Sequence, residues 1–438
     1  MKINSFLKIK PKTINMKVVI VILSFIIFPN LAFSQQKSVT LEQCRDSAKV
    51  NWPNFKKLAL NQENIELITS ALNKNYLPKL TLSGSAKYQS EVVVFPEIQL
   101  PGMDDFFPSF PNDNYRTDLQ LQQIIYDGGN TKTAKTLQLA TNELEQTQID
   151  IDNYNLMEQI NQLYLNILLL KQNQDILHTA QTEIEENIKI LKSAYRNGAI
   201  LISGLNKIIA EQLKIEKQIL NTKSARLNLI TSLKVISGLD VDISTYYQVP
   251  EKPNSTHITL PQLKLFVTQG VINQASLEMN YRDKFPKLSF FASGGYGRPG
   301  YNFMDTDLHP YGMVGVNLSW KIIDWGTYSN QKEKTVIKQS VIDINRELFI
   351  KNNKLEIDKI KTELSNLKNQ IKLDSEIISI KKEIKNSSWS KFKNGTITSN
   401  EYLKDFNDFK ISQQSIEINK IKYIQKEITL NHMVGVQY

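Results

Sequence analysis

Hydrophobic and polar positions alternate with a period of two residues in four segments of the chain, at 80–89, 115–125, 288–297 and 311–320. In the first segment, apolar or small residues occupy every second position: Leu80, Leu82, Gly84, Ala86 and Tyr88, separated by Thr81, Ser83, Ser85, Lys87 and Gln89. Successive side chains of a β-strand point to opposite faces of its sheet. The alternation therefore predicts four strands, each with an apolar face and a more polar face.

Two longer segments, 130–197 and 331–392, contain no proline and predict unusually long helices. The second carries an aliphatic residue at every seventh position: Ile350, Ile357, Leu364, Ile371 and Ile378. A sustained seven-residue repeat is typical of coiled-coil packing, and a helix of about 65 residues extends roughly 100 Å. Shorter helical segments at 41–75 and 205–237 together nearly match the first long helix, which predicts two short helices stacked end to end beside it.

Three short motifs recur in the same order about 200 residues apart. The pairs are Leu77-Pro78-Lys79-Leu80 with Phe285-Pro286-Lys287-Leu288, Tyr126-Asp127-Gly128-Gly129 with Ile323-Asp324-Trp325-Gly326, and Tyr195-Arg196-Asn197-Gly198 with Phe392-Lys393-Asn394-Gly395. Ordered recurrence indicates duplication of one strand-and-helix unit. It divides the chain into a first structural repeat at 35–237, a proline-containing linker at 238–261 and a second repeat at 262–438.

The first 34 residues have the features of a secretory signal peptide. Five lysines and no acidic residue precede an apolar run at 18–28, and Ala32-Phe33-Ser34 follows it. The run is too short to span a bilayer as a helix, which disfavours the alternative of a retained anchor. Met16 is an alternative start. Removing this segment lowers the net charge from +9 to +4, because 48 basic residues then face 44 acidic ones, and no nucleic-acid partner is expected.

The number of predicted strands sets a condition on how such a chain could form a membrane barrel. A closed barrel needs at least about eight strands, because an open edge in lipid leaves backbone groups unpaired. With four strands each, several copies would have to share one barrel. An eight-stranded barrel has no lumen for cargo, which favours three or more copies.

The motifs together resemble the TolC-type family of outer-membrane channels. Val39-Thr40-Leu41-Glu42-Gln43-Cys44, with Asn51-Trp52-Pro53, looks like the opening helix of that family, and the junction and turn motifs above look like its strand-to-helix junctions and helix-turn-helix tips. The resemblance implies a mixed α/β membrane protein with a long α-helical coiled-coil barrel and a transmembrane β-barrel shared between protomers. It implies a homotrimer in outer-membrane lipid with a helical extension into the periplasm.

The resemblance also implies partners and site residues. The partners are a periplasmic adaptor and an inner-membrane pump, of the resistance-nodulation-division or ABC type, in an efflux or type I secretion system. The tips would dock the adaptor, although an ordinary helical hairpin would carry the same residues: Tyr195, Asn197, Gly198, Phe392, Asn394, Gly395, Thr396 and Thr398. The junctions comprise Asp127, Gly128, Gly129, Asp324 and Gly326.

A candidate pore constriction follows the second tip, at Glu401 and Lys404. Family members often carry two acidic residues here, one helical turn apart, and the second of these positions is Lys404 in this chain. Some members place an arginine where this chain has Ile397. This departure weakens the expectation of a charged gate, and a solvated Glu–Lys pair is the alternative reading.

The sequence contains no recognisable catalytic or metal-binding constellation and implies no cofactor. Its four histidines are far apart in the chain, and no nucleophile, phosphate-loop or dinucleotide motif is found. The resemblance implies a channel that passively conducts cargo, and the absence of a catalytic motif agrees with a protein that is not an enzyme. The alternatives are a secreted or surface coiled-coil structural or adhesive protein, and a soluble binding module or enzyme with an unusual fold.

Overall fold

A computed structural model describes residues 37–94, 109–250 and 260–434. Within these ranges the helices are α1 (Leu41–Asn51), α2 (Pro53–Asn73), α3 (Asn130–Arg196), α4 (Ile202–Ser237), α5 (Pro261–Arg282), α6 (Thr327–Lys393) and α7 (Ser399–Val434). The strands are β1 (Ser38–Val39), β2 (Lys79–Tyr88), β3 (Asp113–Tyr126), β4 (Tyr246–Tyr247), β5 (Lys287–Arg298) and β6 (His309–Ser319). The predicted signal peptide, residues 95–108 and residues 251–259 of the predicted linker lie outside the described residues.

The two halves of the chain share an order of elements. In each half, a helix precedes a strand pair, which is followed by a helix of 67 residues and a returning helix of 36 residues. At a rise of 1.5 Å per residue, each long helix extends about 100 Å. None of the described helices combines the length and hydrophobicity needed to cross a bilayer.

The four longer strands form one antiparallel sheet in the order β2-β3-β5-β6. Its register pairs Leu80 with Leu121, Leu121 with Ala292, and Ala292 with Val314, so one apolar row crosses all four strands. The adjacent row pairs Thr81, Gln120, Ser293 and Met313 in the same order. Cross-strand partners share a face, so the predicted division into an apolar and a more polar face holds across the sheet.

The helices are arranged in the same order as the strands that they join. In the half nearest the sheet, α3 packs against α2 and α5, and α5 packs against α6, giving the order α2-α3-α5-α6. In the other half, α3 packs against α4 and α7, and α7 packs against α6. This arrangement confirms that two shorter helices, α2 and α4, lie beside one long helix.

The prediction of a single helix over 41–75 is wrong. Trp52 separates α1 from α2 with an extended backbone (φ −73°, ψ 124°), and a 3₁₀ turn at Lys74–Tyr76 follows α2. The ring of Pro53 disfavours helical geometry at the preceding residue, which explains the break. The consequence is that α1 packs against α4 and α3, while α2 runs along α3 towards the sheet.

Two hydrophobic cores lie along the helices. The first, near mid-height, surrounds Cys44 and Tyr164, both fully buried, and includes the parallel pairing of β1 with β4. The second lies near the far end of the helices and brings α3 and α4 together with the aromatic residues of α6 and α7. The second core supports both helix turns farthest from the sheet.

Candidate functional site

The first helix turn farthest from the sheet, which we call the first tip, joins α3 to α4. Gly198 has φ 73°, a left-handed conformation that glycine adopts without a side-chain clash. Its N–H donates to the carbonyl of Tyr195 (2.9 Å), and the Ala199 N–H donates to the carbonyl of Ala194 (2.9 Å). These bonds form the Schellman motif that ends a helix, with Asn197 at the C-cap.

The second tip joins α6 to α7 with the same backbone. Gly395 has φ 72° and donates to the carbonyl of Phe392 (3.0 Å), while the Thr396 N–H donates to the carbonyl of Lys391 (3.0 Å). Asn394 occupies the C-cap. The structure therefore gives the two predicted tips equivalent turns.

The start of α7 is closed by a capping box. The Thr398 N–H donates to Glu401 Oε2 (2.7 Å), and the Glu401 N–H donates to Thr398 Oγ1 (3.3 Å). These hydrogen bonds from Thr398 hold the pKa of Glu401 below its ordinary value. Glu401 is thus folded back on the helix end, and Lys404, one turn further on, is exposed like Glu401 itself.

An aromatic cluster lies beneath the second tip. The rings of Phe392 and Tyr402 stack with centroids 5.6 Å apart, and Trp389 lies 5.2 Å from Tyr402. Phe392 is 5% exposed and Tyr402 is fully buried, with its hydroxyl accepting a hydrogen bond from Asn187 Nδ2 (2.7 Å). The second tip is therefore fixed by burial of its own flanking residues.

The flanking residues of the first tip are exposed instead. Tyr195, which corresponds to Phe392 in the repeat, is 44% exposed, and Leu201 is 78% exposed. Leu201 is the N-cap of α4 and makes no side-chain cap, and Ile202 after it is also exposed. Leu201 and Ile202 are not among the predicted tip residues, although both are apolar where the second repeat has Thr398 and Ser399.

Ion pairs join the helical hairpin of α3 and α4 to the helical hairpin of α6 and α7. Lys385 Nζ lies 2.7 Å from Glu183, and Lys410 Nζ lies 3.3 Å from Glu211 with both side chains buried. Burial lowers the pKa of Lys410, and the Glu211 carboxylate partly offsets this effect. The partners are about 200 residues apart in sequence, so no local pattern could have indicated these contacts.

At the opposite end of α3, Asp127 organises the first strand–helix junction. Its carboxylate accepts hydrogen bonds from the N–H groups of Gly129 (2.9 Å) and Thr131 (2.6 Å) and from the Tyr76 hydroxyl (2.8 Å). Burial by itself would raise the pKa of Asp127, but these hydrogen bonds hold it below the ordinary value. Gly128 and Gly129 both have positive φ, which lets the chain turn abruptly from strand to helix.

Asp324 plays the same part at the second junction. It accepts hydrogen bonds from the N–H groups of Gly326 (3.1 Å) and Tyr328 (3.3 Å), and Lys284 Nζ lies 3.1 Å away. The hydrogen bond from Lys284 is the main cause of the lowered pKa of Asp324. Gly326 matches Gly129, but Trp325 occupies the position of Gly128 and also has a positive φ of 52°.

Over the described ranges, no three His, Cys, Asp or Glu side chains come together in an arrangement that could hold a metal ion. Cys44, the single cysteine of the sequence, is buried among apolar residues. Burial raises the pKa of its thiol to about 12. A thiol with so high a pKa stays protonated at neutral pH and is a poor nucleophile and metal ligand.

Comparison with known proteins identifies structural relatives. No protein-family profile and no curated protein sequence matches the chain. Among solved structures, the outer membrane protein VceC of Vibrio cholerae matches with a TM-score of 0.69 at 13% identity, over 90% of this chain and 96% of VceC. The CmeC outer membrane channel of Campylobacter jejuni matches with a TM-score of 0.68 at 14% identity, over 99% of this chain and 94% of CmeC.

The MtrE outer membrane channel of Neisseria gonorrhoeae, solved in its open state, matches with a TM-score of 0.66 at 12% identity, over 90% of this chain and 88% of MtrE. At identities this low, the TM-scores show likeness of fold alone. That likeness confirms the predicted resemblance to TolC-type channels at the level of the fold, across almost the whole length of both chains.

Proposed function

We propose that the chain is one subunit of a homotrimeric outer-membrane channel, which passively conducts cargo delivered by a periplasmic adaptor and an inner-membrane pump. The observation that carries this proposal is that the helices and strands at both lateral ends, meaning the two side edges of the folded chain, have a packing neighbour on one side only. Among the described helices near the sheet, α3 and α5 each pack between two helices, whereas α2 and α6 each have one helix neighbour. The outer strands of the sheet, β2 and β6, likewise pair on one side.

The exposed fractions of side chains at matched positions on α3 and α6 show which surface lacks a neighbour. Because Asp127 corresponds to Asp324, Ala140 and Thr147 of α3 correspond to Ile337 and Ile344 of α6. Ala140 is 7% exposed and Thr147 is fully buried, whereas Ile337 is 64% exposed and Ile344 is 55% exposed. Positions that are small and covered in the first repeat are thus large, aliphatic and uncovered in the second.

The other lateral end shows the same relation. Because Phe285 corresponds to Leu77, Thr268 and Ala275 of α5 correspond to Leu60 and Leu67 of α2. Thr268 and Ala275 are buried, whereas Leu60 and Leu67 are each 64% exposed. The pair of helices α3 and α5, which is packed within the chain, therefore has an unpacked counterpart in α6 and α2.

A second copy of the chain fits this arrangement. Packing α6 of one copy against α2 of the next would reproduce the α3–α5 contact, with matching edges β6 and β2 completing the sheet. Such a head-to-tail contact closes into a ring when the rotation allows it. Apolar exposed positions covered in this way would stabilise the ring by the hydrophobic effect.

Three copies of the four-stranded sheet would give twelve strands. Eight strands leave an interior filled by side chains, so three copies are the smallest number that leaves a channel. The apolar row through Leu80 and Val314 would face lipid, and the row through Thr81 and Ser293 would face the lumen. This assignment supports an outer-membrane location with the helices extending into the periplasm.

The tips are proposed as the periplasmic entrance and the docking surface for the adaptor. Exposed apolar side chains supply contact area that a partner can cover, and the first tip offers Tyr195, Leu201 and Ile202. The second tip would contribute its turn backbone and Thr396 and Thr398. In this proposal the first tip carries most of the docking energy.

Glu401 and Lys404 are proposed to line the narrow end of the channel. Both are exposed on the first two turns of α7, and three copies would bring three carboxylates and three ammonium groups around the axis. Because opposite charges alternate there, cation preference would be weak. In planar bilayers, the Glu401→Gln, Lys404→Gln double variant should change conductance or ion preference, and unchanged values for both would refute this role.

The trimeric channel is tested by placing a charge at the lateral face. The full chain is expressed in a Gram-negative host, and the outer-membrane fraction is analysed for heat-sensitive trimers and for conductance in planar bilayers. Ile344→Glu should remove the trimer band and the conductance, because a charge would be buried against the next copy. Lys382→Glu, on an exposed position of the same helix, is the matched control and should retain both.

A further inference from the structure

Trp325 is the most unusual residue of the second strand–helix junction. It is 89% exposed, although tryptophan is normally among the more buried residue types. Its backbone has φ 52°, a left-handed conformation that crowds the Cβ atom of a bulky residue. A large apolar side chain thus stands in solvent at a position where glycine would relieve the backbone.

The corresponding position in the first repeat is closely covered. A Cβ atom built on Gly128 would lie 2.9 Å from Phe285 Cβ and 3.1 Å from the carbonyl oxygen of Arg282. A Cβ built on Gly129 would lie 3.4 Å from Arg282 Cδ. Glycine fits there because the connection between α5 and β5 packs directly over the junction, and a side chain at the matched position would hold such a connection further from the backbone.

The second junction has the same backbone and no such cover. A Cβ atom built on Gly326 would meet no atom within 4 Å. Ile322 and Ile323, just before Trp325, are 76% and 63% exposed. Among the described residues, none covers the second junction as Arg282 and Phe285 cover the first.

The repeat identifies which residues that feature would contain. Arg282 and Phe285 correspond to Lys74 and Leu77, which connect α2 to β2. Leu77 is 56% exposed and borders a groove of about 660 Å³ between α2 and α3. An uncovered junction and an uncovered α2–β2 connection are therefore present on opposite lateral ends of one chain.

We propose that Trp325 of one copy packs against Leu77 of the next copy, at the mouth of this groove, and anchors the subunits to each other where strands become helices. The inference rests on the ring proposed above and adds a specific residue to it. Tryptophan is favoured at the centre of protein interfaces because it buries a large area with few rotatable bonds. Burial of the indole would also explain why a strained backbone is retained there.

Tryptophan near the end of a membrane strand can instead lie among lipid headgroups. Contact with lipid and contact with a second copy of the chain differ in a measurable way, because lipid contact does not place Trp325 near any fixed residue of another subunit. The first experiment therefore measures proximity between residues of different copies in the intact assembly.

The full chain carrying Cys44→Ala is given the pair Trp325→Cys and Leu77→Cys, and outer membranes are oxidised with copper phenanthroline. The expected result is a ladder of disulfide-linked dimers and trimers on a non-reducing gel. Trp325→Cys with Leu201→Cys, whose sites lie at opposite ends of α3 and α6, is the control and should give no ladder. The pair Ile337→Cys and Leu60→Cys, on α6 and α2, reports whether the helical ring has formed.

The outcomes separate this inference from the channel proposal. A ladder from the helical pair without one from the junction pair would overturn the role of Trp325 and leave the ring intact. Absence of both ladders would overturn the ring and the anchor together. Ladders from both pairs would support both.

A second measurement tests the contribution of the side chain itself. Trp325→Gly restores the residue of the first repeat and removes the backbone strain, so the fold of each subunit should be retained. The anchor predicts a lower temperature for dissociation of the trimer and an intermediate value for Trp325→Phe. A dissociation temperature equal to or above that of the unchanged protein would contradict the anchor.

Discussion

The two tips have nearly the same backbone and opposite side-chain environments. Gly198 and Gly395 have φ values of 73° and 72°, and each turn closes with the same pair of backbone hydrogen bonds. Phe392 is buried beneath the second tip, whereas Tyr195 at the matched position of the first is 44% exposed. The aromatic side chains at the second tip are buried in the protein, whereas the side chains that flank the first tip expose apolar surface.

This difference indicates how two copies of a repeated turn can keep one backbone and differ in their side-chain surroundings. The turn depends on a glycine and on main-chain hydrogen bonds, which tolerate changes in neighbouring side chains. The capping residues and the aromatic contacts are free to diverge. The following predictions test whether the side chains alone account for the difference.

The largest expected difference concerns the aromatic pair. Phe392→Ala should lower the free energy of local opening at the second tip by about 3–5 kcal/mol, because it leaves a cavity against Tyr402 and Trp389. Tyr195→Ala should change stability by less than about 0.5 kcal/mol, as expected for an exposed position. Hydrogen exchange of the full chain, followed by mass spectrometry, measures both; equal effects at the two tips would break the comparison.

A second prediction concerns the docking surface. Leu201→Ser should weaken binding of the adaptor by about tenfold, because it removes exposed apolar area that the adaptor would cover. Thr396→Ser, at the second tip, should change binding little. The comparison requires purified adaptor and the trimer in detergent, and a weaker effect at Leu201 than at Thr396 would reverse the assignment.

The helix caps should show a smaller effect. Thr398→Ala removes the capping box and should cost about 1 kcal/mol of helix stability at the start of α7. Leu201→Thr, at the matched position of α4, should stabilise that helix end by a similar or smaller amount. Exchange protection of the first turns of α4 and α7 reads out both changes, and protection of α7 unaffected by Thr398→Ala would argue against the cap.

The smallest expected effect is that of acid on the same cap. The pKa of Glu401 is below its ordinary value of 4.5 in the folded chain, so its contribution is present above pH 4.5 and is lost as pH falls through the lower folded value. The protection factor at the start of α7, which is the exchange rate corrected for its intrinsic dependence on pH, should therefore fall on acidification below pH 4.5. Glu401→Gln should remove this dependence, and α4, whose start has no side-chain cap, should not show it.

Much of the fold was accessible from the sequence because its signals are periodic. Alternation in segments such as 80–89 and heptads such as Ile350 to Ile378 indicate strands and long helices without reference to distant residues. The repeated Asp-x-Gly and Asn-Gly motifs located the junctions and tips, because the left-handed turns there require glycine. The prediction of one helix over 41–75 failed because it followed the helical pattern of the whole segment and neglected the local effect of Pro53 on the backbone of Trp52.

The details of the site depended on contacts that no local pattern contains. The burial of Lys410 against Glu211 joins residues of different repeats. Glu401 was a candidate for the pore on the basis of family resemblance, whereas its hydrogen bonds to Thr398 are those of a helix cap. The exposed Ile337 and Leu60 look like ordinary heptad positions until their covered counterparts in the other repeat are known.

In the proposed channel, the uncovered lateral faces pack against each other in a closed ring of three identical chains. Native mass spectrometry of the full-length protein, expressed in a Gram-negative host and extracted from the outer membrane in mild detergent, tests it most directly. The expected result is a single assembly with the mass of three mature chains, which Ile344→Glu converts to monomers. A monomer as the main species of the unchanged protein, or an assembly that Ile344→Glu leaves intact, would contradict it.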